Sequence, residues 1–154
     1  MAPDFMLVID CADPDRLSRF WAAALGYVIA PPPAGAASWD EYWLGLGVPE
    51  EDLGIGEDRI IDPAGRGPRI WFQVVPERKA IKNRLHIDIH ASGDDAHASV
   101  EQKVPLDVRK QRIDAEASRL TALGATMVAV LYEEGIDHYA IAMQDPEGNE
   151  FDIN

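Results

Sequence analysis

Three short segments recur in the same order in both halves of this 154-residue chain, and a repeat confines a fold more tightly than any single motif does. Ala24-Leu25-Gly26 returns as Ala122-Leu123-Gly124 at an offset of 98, and Asp40-Glu41-Tyr42 as Asp137-His138-Tyr139 at 97. Asp62-Pro63-Ala64-Gly65 returns as Asp145-Pro146-Glu147-Gly148 at 83. The drop from 97 to 83 implies 14 extra residues in the first half, which the Gly- and acid-rich stretch from Gly45 to Asp58 can hold. Each half also opens with a strand followed by a helix. Phe5 to Cys11 is rich in β-formers, and Asp13-Pro14 supplies an N-cap and a proline at the first helical position. Leu17, Phe20, Trp21, Ala24 and Leu25 make one apolar stripe, and Gly26 ends it. In the second half, Leu85 to Ala91 is the strand, and a helix from near Asp107 to Leu123 carries Ile113, Ala117, Leu120 and Leu123 before Gly124.

The remaining strands are expected near 27–30, 41–46, 69–75, 126–130, 138–144 and 150–153, with the polar stretch 92–105 as an insertion. The fold class is therefore α+β, built from two tandem βαβββ modules in one domain over residues 1–154. Module 1 covers about 1–76, a charged linker about 77–84, and module 2 about 85–154.

Charge narrows the partners. Against 14 Lys and Arg stand 27 Asp and Glu, a net charge of −13, so the chain lacks the basic stripe that nucleic acid requires. Anionic lipid would repel it, and no run approaches the roughly 20 apolar residues of a membrane span. The same balance disfavours an anionic ligand unless local charge overrides it. A single cysteine, Cys11, with Ile9 and Ala12 nearby, is expected to be a buried strand thiol in a reducing compartment. With no secretory signal at the start of the sequence, the expected location is cytoplasmic.

Strand alternation sorts the candidate site residues. Leu85, Ile87 and Ile89 should pack on the helices, which leaves His86, Asp88 and His90 on the opposite face. In the first strand Phe5, Leu7, Ile9 and Cys11 take the helix side, with Met6, Val8 and Asp10 opposite. Glu150 and Asp152 share a face, as do Trp71, Gln73 and Val75. Imidazole and carboxylate on neighbouring strands suit a divalent metal; polar residues on a half-exposed strand are equally compatible with plain solvation. His97 and His138 fit solvated loops. Trp39, Trp43 and Trp71 either line an apolar pocket or fill core. There is no Gly-x-Ser-x-Gly elbow and no dinucleotide-binding glycine pattern followed by a helix.

Several segments in order resemble the vicinal-oxygen-chelate superfamily (glyoxalase, bleomycin resistance and dioxygenase proteins), and within it a glyoxalase-like group of bacterial proteins. They are Asp10-Cys11-Ala12-Asp13-Pro14, Phe20-Trp21 and Ala24-Leu25-Gly26, then Phe72-Gln73-Val74-Val75-Pro76-Glu77. Lys82-Asn83-Arg84-Leu85-His86-Ile87-Asp88 and Asp145-Pro146-Glu147-Gly148-Asn149-Glu150-Phe151 complete the set. The resemblance implies paired βαβββ modules whose mixed sheet curls into a cup, often in a homodimer. In the family's metalloenzymes the opening and the last strand of each module each give one metal ligand. By that rule His86 is the opening ligand of module 2, Asp152 the closing one, and Gln73 lies near the closing position of module 1. The opening position of module 1 is Met6 or Val8, neither a ligand for a hard divalent ion, so the family's set is incomplete here; Asp10, Asp88 or His90 are the available substitutes.

Two functions follow from this reading. One is a small-molecule-binding protein, with Trp71, Asp88, His90 and Trp43 as substrate-binding residues beside the candidate metal set His86, Asp152 and Gln73. The other is a metal-dependent lyase, isomerase or dioxygenase using zinc, nickel, manganese or iron. Whether the chain is an enzyme stays open at this point.

Overall fold

Asp13 and Gly26 bracket the first helix as their residue types require. The Asp13 carboxylate accepts from the Arg16 N–H at 3.0 Å, Pro14 fills the first turn, and Gly26 leaves the helix with φ 69°. A computed structural model describes residues 4–54, 57–94, 99 and 102–154. His97 and part of the expected insertion lie outside the described residues. The chain divides into two units, one up to Arg78 and one from Lys79 onward.

The first unit comprises β1 (Met6–Cys11), α1 (Pro14–Leu25), β2 (Val28–Ile29), α2 (Trp39–Gly45), β3 (Arg59–Ile61) and β4 (Arg69–Val74), with a 3-10 turn at Glu50–Asp52. Its sheet has the order β1-β4-β3-β2, with β1 parallel to β4 and the other pairs antiparallel. Leu17, Phe20 and Trp21 of α1 are buried, as are Ile60, Ile70 and Phe72 of the sheet. Each such side chain contributes about 1.5–3 kcal/mol by leaving water.

The second unit repeats that plan with β5 (Asp88–Ile89), α3 (Leu106–Ala122), β6 (Thr126–Leu131), β7 (Ala140–Gln144) and β8 (Glu150–Ile153). The order β5-β8-β7-β6 and the strand senses match the first sheet position by position. Ile113, Ala117 and Leu120 of α3 are buried together with Ile141, Met143, Phe151 and Ile153. Among the described residues, no helix is long and apolar enough to cross a membrane.

Two mixed βαβββ units are thus present, but the expected curling into a cup is not. Each four-stranded sheet is open, ending in two edge strands. Closing either one would need an edge partner as long as β1 or β6, six residues each, whereas the opposite edges β2 and β5 pair over two residues only.

The strand expected at 41–46 is helix α2. Ser38 accepts from the Glu41 N–H at 3.1 Å while the Glu41 carboxylate reaches back to the Ala37 N–H, a capping pair that overrides the β-propensity of the tryptophans and tyrosine. The third strand lies later, at β3, so the longer connection in the first half is 30–58 against 132–139. The Asp40/Asp137 segment match has no structural counterpart, because one copy is helical and the other precedes β7. Leu85 and Phe5, expected to pack inward, are 80% and 65% exposed, since both precede the paired residues of their strands.

The Asp-Pro-x-Gly match does hold. Asp62 accepts from the N–H groups of Ala64, Arg66 and Gly67 between β3 and β4. Asp145 accepts from Glu147, from Asn149 and from the Asn149 side chain between β7 and β8. Gly65 and Gly148 supply the positive φ, 66° and 88°, that each turn demands. Asp145 is buried, so Asp145→Ala strands several donors and should cost about 2–4 kcal/mol in urea unfolding, against less for the half-buried Asp62→Ala.

Glu150 fastens the start of the second unit to β8. It accepts from the Asn83 N–H at 2.9 Å and pairs with Lys79 at 3.1 Å. The Asn83 N–H, and after it the Lys79 ammonium, hold the Glu150 carboxyl down at about 2 although partial desolvation pushes it up. A depressed carboxyl stabilises the fold above its unfolded pKa and ceases to do so as pH falls toward the folded value. The stability difference between wild type and Glu150→Gln should therefore be constant above about pH 6 and shrink as pH drops from about 5 to 2. Urea midpoints at several pH values read this directly, and a difference that widened in acid would contradict it.

Candidate functional site

Each unit packs its long helix on one sheet face, and the candidate site residues lie on the other. In the first unit that other face carries Met6, Val8 and Asp10 of β1 beside Arg69, Trp71 and Gln73 of β4, in register as Met6–Arg69, Val8–Trp71 and Asp10–Gln73. Arg59 of β3 stands opposite Trp71 and joins the row.

Helix α2 completes this face. Trp39 and Trp43 are four residues apart on it and stack at 5.7 Å with an interplanar angle of 24°. The Trp39 indole donates to the Ala30 carbonyl at 2.9 Å, which fixes the helix to the end of β2. The Arg59 guanidinium sits over three indoles, 5.0 Å from Trp39, 5.2 Å from Trp43 and 5.4 Å from Trp71. Asp58, only 5% exposed, holds two of these groups: it accepts from the Trp71 indole at 2.8 Å and pairs with Arg59 at 3.3 Å. The Asp58–Arg59 pair has ionic contact without a well-formed hydrogen bond between Oδ1 and Nη1.

Two cavities open on this assembly. One of about 450 Å³ is lined by Trp39, Tyr42, Trp43, Arg59 and Arg69 over the floor of Ile60 and Ile70. A second of about 330 Å³ adjoins Trp43, Trp71 and Gln73. Both volumes fall within the range of small-molecule sites.

The corresponding face of the second unit has a different chemistry. The parallel register sets Asp88 beside Asp152, with Ala142 and Ala129 continuing the row across β7 and β6. His86 Nε2 lies 3.1 Å from Asp88 Oδ1 and 3.7 Å from Asp152 Oδ2. One ligand atom from each of the three lies within 4.8 Å of the others. The ladder continues through Asn154, which donates to Asp88 at 3.2 Å and accepts from His90 at 2.5 Å.

The residues named from sequence thus fall into two groups. His86, Asp88 and Asp152 come together, with His90 joined to them through Asn154, all in the second unit. Trp43, Trp71 and Gln73 belong to the first. Asp10, paired with Gln73, is exposed on the first sheet, and His138 lies in the loop before β7. Arg59 and Asp58 were not singled out from sequence. The signal that would have found them is the Ser38-x-x-Glu41 capping pattern, which makes Trp39 and Trp43 neighbours on a helix and leaves 59–61 as the missing strand.

Comparison with known proteins agrees with the topology. The structure resembles that of a glyoxalase/bleomycin resistance protein/dioxygenase family enzyme from Burkholderia phytofirmans PsJN, with 17% identity, TM-score 0.55, and 97% of this chain and 94% of that one covered. It also resembles the fosfomycin resistance protein FosX from Mesorhizobium loti (13%, TM-score 0.53, 99% and 89%). A third likeness is to a member of the same superfamily from Sphaerobacter thermophilus DSM 20745 (14%, TM-score 0.54, 99% and 96%). At such identities these likenesses speak for the fold alone. No curated protein matches the sequence. The sequence model of the glyoxalase-like domain matches residues 6–106 and 97–154, so this chain belongs to the glyoxalase-like family of the glyoxalase/bleomycin-resistance superfamily.

Proposed function

We propose that this protein binds a small organic molecule in the aromatic cavity of its first unit. The observation that carries this is the assembly of Trp39, Trp43 and Trp71 around Arg59 beside a cavity of about 450 Å³. An apolar concavity with a few fixed polar groups is the usual form of a small-molecule site. The Trp71 indole, held by the Asp58 carboxylate, and the Trp39 indole, held by the Ala30 carbonyl, lose little conformational freedom when a ligand arrives, which favours affinity.

A neutral aromatic probe, 2-naphthylmethanol, tests the site without relying on any charge. Calorimetry and saturation-transfer NMR should give saturable binding that weakens about 10-fold in Trp43→Ala, the loss of one ring contact. Affinity unchanged by that substitution would remove the cavity from the function.

A second reading, metal-dependent chemistry, is favoured by the His86–Asp88–Asp152 cluster. Donors about 2.1 Å from a shared ion stand roughly 3.0–3.4 Å apart in octahedral or tetrahedral geometry. The two pairs at 3.1 and 3.7 Å are close to that, and a nitrogen with two carboxylate oxygens suits zinc, nickel, manganese or iron. His86, Asp88 and Asp152 would hold the ion, which would polarise a ligand oxygen or acidify a water. The fit uses Asp88 where the family rule looks to a residue of the first module. Calorimetric titration with Mn, Ni and Zn should give one site with a dissociation constant on the order of micromolar. That binding should be abolished in His86→Ala and weakened at least about 10-fold in Asp88→Asn. No heat of binding up to about 1 mM metal would reduce the cluster to a hydrogen-bonded polar row.

A further inference from the structure

An aromatic cage normally recommends a cationic ligand, because the faces of indole rings attract positive charge. Here that place is already taken. The Arg59 guanidinium lies 5.0 to 5.4 Å from three indole rings and is held there by buried Asp58. A second cation entering the cavity would meet Arg59 and Arg69, whose carboxylate partners Asp58 and Asp4 are not part of its wall. Among the described residues the wall of the larger cavity contains two guanidinium groups, Arg59 and Arg69, and no acidic side chain. In a chain with net charge −13, a wall whose ionisable side chains are guanidinium groups stands apart, although each is paired with an aspartate outside it.

We infer that the cavity of the first unit takes an aromatic ligand bearing a carboxylate or a like planar anion, whose ring meets the tryptophans and whose charge meets Arg59 and Arg69. This specifies the ligand class of the site proposed above and rests on that proposal. The two arginines differ in what holds them. Arg59 is mostly buried, and among the described residues its ion-pair partner is the buried Asp58. Arg69 pairs at 2.9 Å with Asp4, which is 81% exposed. An exposed pair of that kind is worth little in water, so an incoming carboxylate can replace Asp4 at small cost. A guanidinium presents five donors in a planar fork that matches a carboxylate, and in an apolar cavity that match is stronger than in bulk water. Leaving a carboxylate unpaired on the same apolar wall would be costly, so the arginines supply both attraction and selection.

Three probes of one shape and different charge test the inference: 2-naphthoate, 2-naphthylmethanol and 2-naphthylmethylamine, titrated calorimetrically into the whole chain. Naphthoate should bind at least about 10-fold more tightly than the alcohol, with the amine weakest, and the naphthoate advantage should fall as salt rises from about 20 to 300 mM. Arg59→Gln leaves the buried Asp58 carboxylate without its cation and is prone to unsettle the unit, so the exposed Arg69→Gln carries the test. It should weaken naphthoate about 5- to 10-fold and move the alcohol less than about 2-fold. Equal binding of alcohol and naphthoate, both lost in Trp43→Ala, would overturn the anion preference and leave the aromatic site standing. A preference for the amine would also overturn it. Absence of saturable binding by all three up to about 10 mM would remove the site itself.

Discussion

Parallel pairing between the first and last strand of each unit is the constraint on which the rest depends. A parallel pair cannot be joined by a hairpin, so each chain segment must leave through a helix and return through two antiparallel strands. That route places β1 against β4 and β5 against β8, setting side chains more than sixty residues apart in one row. Asp88 stands beside Asp152, and Val8 beside Trp71, for this reason alone. The helix covers one face of each sheet with Leu17, Phe20 and Trp21 or with Ile113, Ala117 and Leu120. The candidate site residues then lie on the other face, and the strand period decides which residues reach it.

Those two faces have the same topology and opposite chemistry. The first presents indoles and guanidinium groups, the second imidazole, carboxylates and a carboxamide. The difference traces to the β2–β3 connection, residues 30–58, which has room for helix α2, whereas residues 132–139 give only a short loop. A helix laid over a sheet edge converts exposed strand residues into the walls of a cavity. Without one, the equivalent rows stay half-exposed, as His86 and Asp88 are at 41% and 40%.

What could be read from the sequence follows the range over which each signal acts. The Asp13 cap, the Gly26 stop and the apolar stripes are local, and they placed both long helices correctly. The Asp62 and Asp145 turns were legible because an Asx turn repeats its own chemistry wherever it occurs. Strand alternation put His86, Asp88 and His90 on one face, and the register brings the first two to Asp152. The pattern failed where two propensities compete over a short window. Glu41 to Leu46 has the aromatic content of a strand, yet Ser38 and Glu41 cap it as a helix, and that exchange displaced β3 and hid Arg59. Curling into a cup could not be read at all, since closure depends on edge pairing between strands far apart in sequence, and two-residue edges make none.

Arg59 also shows why bulk composition is a poor guide to a site. The excess of 27 acidic over 14 basic residues sets the field at long range, but within a few ångströms an unscreened neighbour dominates. Asp58 is such a neighbour, and its burial has a further consequence. An isolated buried carboxylate would be strongly destabilising, so Asp58 needs both the Trp71 indole and Arg59, and each is held in turn. The pair is therefore weak as a source of net stability and strong as a positioning device: it sets the angle of one indole and the seat of one cation together. A ligand of the proposed site would meet groups whose orientation the fold has already determined, and that buried acid would set its selectivity as much as the residues that line the cavity.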